Sequence, residues 1–424
     1  MDDQTIEASY LIETPLDPAA VAAIMAGEQS SGTFVRVAGE TDALRARAAA
    51  RVLAVEEIEA AAEPSLASAY LERKGATGPW RRAHVRISYP VANVGANLPT
   101  LASTVAGNLY DLGEVTGLRL VDVAVSQAYR ERFDRPRLGV EGTRRRLGVA
   151  GRPIFGTILK PNVGMSPGEI ADLVALLCEA GVNFIKDDEI CADPDHAPLA
   201  ARVPAVMAKV RAYRDRTGRD VMVAFNVTDE TDAMRRHADL VEREGGSCVM
   251  ASLNWCGLSG TQTLRRSTPL ALHGHRNGFG AFARHPMLGI GFDAYQALYR
   301  LAGVDHMHVH GIGGKFSDAA SEVEEAARRC LLPLATDAPD ASDAVLPAFS
   351  SGQWAGTLPR TAEAARSADF MFMAGGGILA HPDGPAAGIR SLRQAWDAIM
   401  EGTDLARAAT NKPELAAAMS FFGT

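Results

Sequence analysis

Residues 184 to 189 read FIKDDE, a lysine followed at once by three acids at the close of a short apolar run. In an extended strand residues two apart share a face, so Lys186 and Asp188 point the same way, and Glu189 can turn to join them as the chain leaves the strand. Two carboxylates give hard oxygen donors of the kind Mg2+ takes, a set completed by water or substrate oxygens. The lysine admits two readings. As an ammonium beside acids it keeps its proton, because opposite charge raises its pKa, and it serves as an ion-pair partner. Alternatively its nitrogen has taken up CO2 as a carbamate, a third carboxylate, and the hexapeptide alone leaves the ion pair as the simpler of the two. Other polar residues gather in short motifs further along. Lys160 closes IFGTILK, His306, His308 and His310 alternate in HMHVHG, Lys315 closes the glycine-rich HGIGGK, and Gly375 and Gly376 open GGGIL. Each has a plainer reading: a solvent-facing lysine, core histidines, an ordinary loop, a turn. The three histidines lack the spaced partners that a zinc site needs.

These residues sit at the ends of a repeated element. Eight short apolar runs, IFGTILK, VNFIKDDE, VMVAFNV, SCVMASLN, LALHGHR, HMHVHG, VLPAFSSG and FMFMAGGG, recur from about residue 150 onward. Between the first two, SPGEIADLVALLCEAGV carries a full set of helix signals: Ser166 as cap, Pro167 in the first turn, Glu169 three residues after the cap, and Gly181 at the end. Ile170, Leu173, Val174 and Leu177 give it one apolar face. Eight strand–helix units in about 270 residues have the size of a (β/α)8 TIM barrel, and polar residues at strand ends favour it over an open doubly wound sheet. The chain before about residue 135 differs. ASYLIET and RRAHVRISYP read as strands, DPAAVAAIMAGE and ALRARAAARVLAVEEI as helices, which is an α+β, ferredoxin-like module with an antiparallel sheet. The expected division is therefore 1–135 and 136–424, with the charged RERFDRPRLGVEGTRRRLG as a solvated linker.

Bulk properties narrow the partners. A net charge of -8 argues against nucleic acid, which calls for a basic face. No apolar run approaches the roughly 20 residues needed to span a bilayer. Phosphorylated small molecules stay open, since backbone amides and a few cations bind them whatever the net charge. Five cysteines without a CxxC pair, and an N-terminus with acids in place of a signal peptide's lysines, suit a reducing cytoplasm.

Taken in order, GTILKP, NFIKDDE, HGHR, HMHVHGIGGK, FSSGQW and GGGILAHP resemble the catalytic motifs of the ribulose bisphosphate carboxylase large chain, and GEQSSGTF and GNLYDL resemble two active-site segments of that family's N-terminal domain. The resemblance runs from about residue 7 to 420. It implies that Lys186, as a carbamate, holds Mg2+ with Asp188 and Glu189. It implies that Lys160 moves a proton at the adjacent carbon, that His275 lies near the reacting carbons, and that Lys315 is a lid residue paired with Glu28. Gly352, Gly375, Gly376 and Thr33 match groups around one phosphate, while Arg276, His308 and Ser350 match groups for the far end of the substrate. Glu28, Thr33 and Asn108 reach the site from a partner subunit in that family, which implies a homodimer with shared active sites, itself open to assembly into larger forms.

Departures limit the resemblance. Asn162 stands where a true carboxylase has a second lysine, Phe279 and Trp354 replace histidines, and Phe34 replaces a tryptophan. Losing a cation beside a developing enediolate costs about 3 to 4 kcal/mol by analogy with a lost oxyanion donor, so the pattern resembles the carboxylase-like branch. The first expectation is decarboxylation of a phosphorylated β-keto sugar acid, which needs no proton abstraction. The second is an enolase or isomerase for a methylthio-ketose phosphate, with Phe279 and Trp354 as an apolar wall. A genuine carboxylase and a non-catalytic phosphate-binding protein rank below both.

Overall fold

The computed structural model describes residues 2–32, 37–335, 337 and 343–423. They form two compact units, one made of the first 134 residues with Gly278–Ala302 and a short segment starting at Pro333, the other of the remainder.

In the first unit β1 (Thr5–Thr14), β2 (Arg51–Ala61), β3 (Trp80–Pro90) and β4 (Gly117–Val125) form a sheet in the order β4-β1-β3-β2, extended beyond β4 by β10 (Leu288–Ile290). The pairs β1–β3, β1–β4 and β2–β3 are antiparallel, which is the ferredoxin-like arrangement expected. Alternation along β1 buries Ile6, Ala8, Tyr10 and Ile12 on one face. One helix expected from sequence is cut short. ALRARAAARVLAVEEI is helical only at Asp42–Ala48; Ala49 turns extended, and the rest is β2, paired with β3 from Arg51↔Ser88 onward. Its alanines, arginines and glutamates favour helix locally, but ladder pairing along a whole neighbouring strand outweighs that preference.

In the second unit eight strands close a parallel barrel: β5 (Ile154–Ile158), β6 (Phe184–Lys186), β7 (Met222–Asn226), β8 (Cys248–Ser252), β9 (Ala271–His275), β11 (His306–His308), β12 (Leu346–Phe349) and β13 (Met371–Met373), the last pairing back to β5. All eight fall inside the apolar runs read from sequence. Their inward residues, among them Ile154, Phe184, Met222, Cys248 and Met371, pack one core. The helix Pro167–Ala180 has the Ser166–Glu169 capping box and ends on Gly181 in the left-handed conformation. The basic stretch before β5 is no mere linker. Gly139–Leu147 is a helix that buries Gly139, Thr143 and Leu147, so Leu147 and Val149 plug the barrel floor while Arg145 and Arg146 stay exposed. Asp305, just ahead of β11 and fully buried, ties that helix down: one oxygen accepts from the Leu138 and Gly139 amides, the other from the Leu272 amide and Arg265 Nη1 at 2.9 Å. Among the described residues no helix is long and apolar enough to cross a membrane.

Candidate active site at the strand ends

β6 is buried at every position, and the chain beyond it alternates sides. Asp187 points outward, where Arg202 Nη2 (3.2 Å) and the Asn226 amide (2.9 Å) donate to it, and both charged side chains are almost wholly buried. Lys186 and Asp188 point inward, as strand parity requires. Asp188 accepts from Lys160 Nζ at 2.7 Å, and Glu189 lies 3.6 Å from Lys186 Nζ and 3.5 Å from His275 Nε2. Asn226 secures the turn by donating to the carbonyls of both Asp188 and Glu189, each at 3.1 Å. Sequence reading passed over Asn226; its only signal is an amide side chain closing the strand next to β6.

The Lys186 pKa shifts in the direction opposite to that expected from its acidic neighbours. Its neighbours Glu189, Asp188 and Asp187 do favour the ammonium, but burial is the larger effect and brings its pKa below the usual lysine value. A lysine so placed is easier to deprotonate, and the free amine is the form that reacts with CO2. Two inward carboxylates and this buried amine are chemically suited to a hard divalent ion once the amine is carbamylated. Lys160 Nζ is shared between Asp188 and Asn162 Oδ1, 2.7 Å from each.

Inside the barrel the histidines form a continuous column. Thr143 Oγ1 donates to the Gly139 carbonyl, so it must accept from His306 Nε2 at 2.8 Å. With that proton assigned, His306 Nδ1 accepts from His273 Nδ1 (3.4 Å), His273 Nε2 accepts from His308 Nε2 (2.8 Å), and His308 Nδ1 accepts from Ser350 Oγ (3.1 Å). Burial is the main reason that His306 falls to about 4, and that His273, His308 and His275 fall well below the usual value. All four are therefore neutral at pH 7, and the column fixes one tautomer for each of His306, His273 and His308.

A second polar group follows β9 and β11. Arg276, 3% exposed, reaches Asp318 at 3.5 Å, and His310 Nδ1 meets the other oxygen of Asp318 at 2.5 Å. Burial raises the Asp318 pKa, but His310 and Arg276 together bring it down to about 2. Lys315 lies in the loop between, its ammonium 5.4 Å over the Phe316 ring and its amide donating to Ser351 Oγ. Gly352 has φ 66°, and a Cβ on Gly376 would meet open space. Gly375 and Gly376 begin the short helix Gly375–Leu379, whereas Gly377 is closed in, since its Cβ would come within 2.5 Å of the Gln353 carbonyl oxygen.

The barrel thus brings together Lys160, Asn162, Lys186, Asp188, Glu189 and His275, with His308 on β11, and Arg276 and Ser350 just past the ends of β9 and β12. In the first unit Asn108 Nδ2 donates to Glu28 Oε1 at 3.1 Å, and Phe279 stacks 4.6 Å from Tyr295. Trp354 packs against Phe422, 5.7 Å between ring centres. Thr33 and Phe34 lie outside the described residues.

Residues 139–422 match the family model described as the ribulose bisphosphate carboxylase large chain, catalytic domain, and residues 2–129 match that of its N-terminal domain. A Xanthobacter autotrophicus protein named 3-oxo-isoapionate-4-phosphate transcarboxylase/hydrolase is 46% identical over 99% of both chains. A Rhizobium rhizogenes protein named 3-oxo-isoapionate-4-phosphate decarboxylase is 40% identical over 99% of this chain and 98% of its own. Among solved structures, a rubisco-like protein from Burkholderia fungorum superposes with a TM-score of 0.93 at 63% identity, covering 99% of this chain and all of that one.

Proposed function

The chain belongs to the ribulose bisphosphate carboxylase large-chain family, within its carboxylase-like branch, and we propose that it cleaves the carboxylate from a phosphorylated β-keto sugar acid of the 3-oxo-isoapionate 4-phosphate class. The observation that carries this reading is the pairing of Lys160 with Asn162 (2.7 Å) and Asp188 (2.7 Å). A carboxylase needs cationic help to stabilise an enediolate that it must first make by abstracting a proton. Here an amide replaces the second cation and Lys160 alone of that pair remains, which suffices to protonate a carbanion made by losing CO2.

Lys186 as carbamate, Asp188 and Glu189 would hold Mg2+, which would supply Lewis-acid polarisation of the keto oxygen. The carboxylate carbon leaves as CO2, the bonding electron pair stays on the substrate as an enediolate, and the Lys160 ammonium delivers a proton to the carbon from which CO2 has left. His275 lies beside the reacting carbons and Lys315 closes over the departing carboxylate. Gly352, Gly375, Gly376 and Thr33 receive the phosphate; Arg276, His308, Ser350 and Asn162 orient the rest. Glu28, Thr33 and Asn108 serve the neighbouring subunit's site, so the working form is a cytoplasmic homodimer or an assembly of such dimers.

The name of the 46% identical relative, a transcarboxylase/hydrolase, favours a second reading, in which the carboxylate is transferred rather than lost and hydrolysis follows. One assay separates them. With 3-oxo-isoapionate 4-phosphate labelled at the carboxylate, Mg2+ and bicarbonate, decarboxylation releases the label as CO2, whereas transfer and hydrolysis keep it in a non-volatile acid. No turnover of this substrate, with deuterium exchange into a methylthio-ketose phosphate instead, would overturn both readings for an enolase.

A further inference from the structure

At the opposite end of the barrel, where the strands begin, a cleft of about 740 Å³ opens among Arg152, Gly181–Asn183, Gly218–Val221 and Trp396. Its volume suits a small molecule rather than a single ion. Five arginines line it (145, 146, 152, 219 and 393) against two aspartates, Asp220 and Asp397, so the lining carries 5 - 2 = +3 in a chain of net charge -8. One aspartate is already committed: Asp220 pairs with Arg146 at 2.8 Å.

Two of the remaining cations, Arg152 and Arg393, are partly buried and held by the fold rather than draped over a surface. Arg152 Nη1 donates to Asn183 Oδ1 (2.9 Å), and its guanidinium lies 5.4 Å over Phe155. Arg393 Nη2 donates to the Gly181 carbonyl (2.9 Å), while its buried Nε has no partner. Gly181 makes room for this: a Cβ there would sit 2.8 Å from Arg393 Nη2. These guanidiniums also oppose one another. After burial, Arg393 is the main influence that lowers Arg152, to about 10, and Arg219 likewise lowers Arg393. Like charges held together at such a cost point to a counter-charge that the chain itself does not supply.

We propose that this cleft binds a phosphate-bearing small molecule, its oxygens bridging Arg152, Arg219 and Arg393, at a site separate from the strand-end site. Guanidinium forks match phosphate oxygens two at a time, and Tyr213 and Trp396 also line the cleft, giving a base or sugar ring apolar surface to rest on. The proposal does not depend on which reaction the barrel catalyses.

Calorimetric titration of the full-length protein with pyrophosphate and with ADP tests it. Wild type should bind at least one of them, and Arg219→Gln with Arg393→Gln should weaken that binding by about tenfold or more. Arg219→Gln alone, at an exposed position, should produce part of the loss without disturbing the fold. Gly376→Asp, which places a carboxylate at the other end of the barrel, should leave it unchanged. Binding by ADP over pyrophosphate would identify a nucleotide as the class, and the reverse a bare polyphosphate. Equal affinity in wild type and the arginine double variant, loss confined to Gly376→Asp, or no binding of either anion at millimolar concentration would overturn the proposal.

Discussion

Lys186 must shed its proton before it can react with CO2, and burial helps while three carboxylates resist. Removing the amine should therefore remove both the carbamate and the ion. In Lys186→Met we expect turnover to fall by about a thousandfold, the scale of losing a main electrostatic group, together with loss of the carbamate resonance in 13C NMR and of bicarbonate-dependent Mg2+ binding. Retained bicarbonate dependence would place the carbamate elsewhere. The histidine column makes a different prediction, one about pH. His306 is lowered to about 4 by burial, whereas an unfolded histidine titrates near ~6.5. Between those values the unfolded chain binds the proton and the folded chain does not, so stability falls as pH drops through that window, by at most ~1.4 kcal/mol per pH unit for each ring. Denaturant titrations at about pH 6 and 5 should show this slope, and His306→Asn should reduce it by about one proton. An unchanged slope would mean that His306 is protonated in the folded state.

The strand-end residues depend on elements that hold them from behind. Asp305 joins the helix Gly139–Leu147, β9 and Arg265 through four hydrogen bonds, so Asp305→Asn should cost ~3–5 kcal/mol in urea unfolding by removing the buried carboxylate charge that faces the Arg265 guanidinium. Gly377→Ala should cost ~1–3 kcal/mol, because the new methyl meets the Gln353 carbonyl oxygen and Trp354 Cα, and wild-type stability in that variant would show that the loop yields. Much of this architecture could be read in advance. The eight barrel strands were legible because each apolar run is short and most end in residues too polar for a core, and the helix after β5 because Ser166, Glu169 and Gly181 act within one segment. Parity alone placed Lys186 and Asp188 on one face. What stayed hidden depends on distant partners. β2 is a strand because β3 lies beside it, and the basic stretch folds onto the barrel because Thr143 meets a histidine 163 residues away. The net effect on the Lys186 pKa was equally out of reach, since a hexapeptide shows the neighbouring acids but not the depth of burial.

For the whole molecule the open question is whether one chain suffices. Glu28 and Asn108 are bonded to each other in the first unit. If they serve a neighbouring subunit, Lys186→Met and Glu28→Gln are each inactive alone but complementary when coexpressed. Random pairing makes half the dimers mixed, each with one intact site of two, so about a quarter of wild-type activity should return. No recovery would mean that each chain completes its own site. The column from Thr143 to Ser350 has a further consequence at this scale. Like water in ice, each contact holds a single hydrogen, so only two senses of polarisation are open to the row, and the Gly139 carbonyl selects one. Every hydrogen is directed toward the floor, which leaves the electron-rich end at the mouth. Ser350 therefore presents lone pairs to whatever enters, and it should greet a sugar hydroxyl while turning away an anionic oxygen.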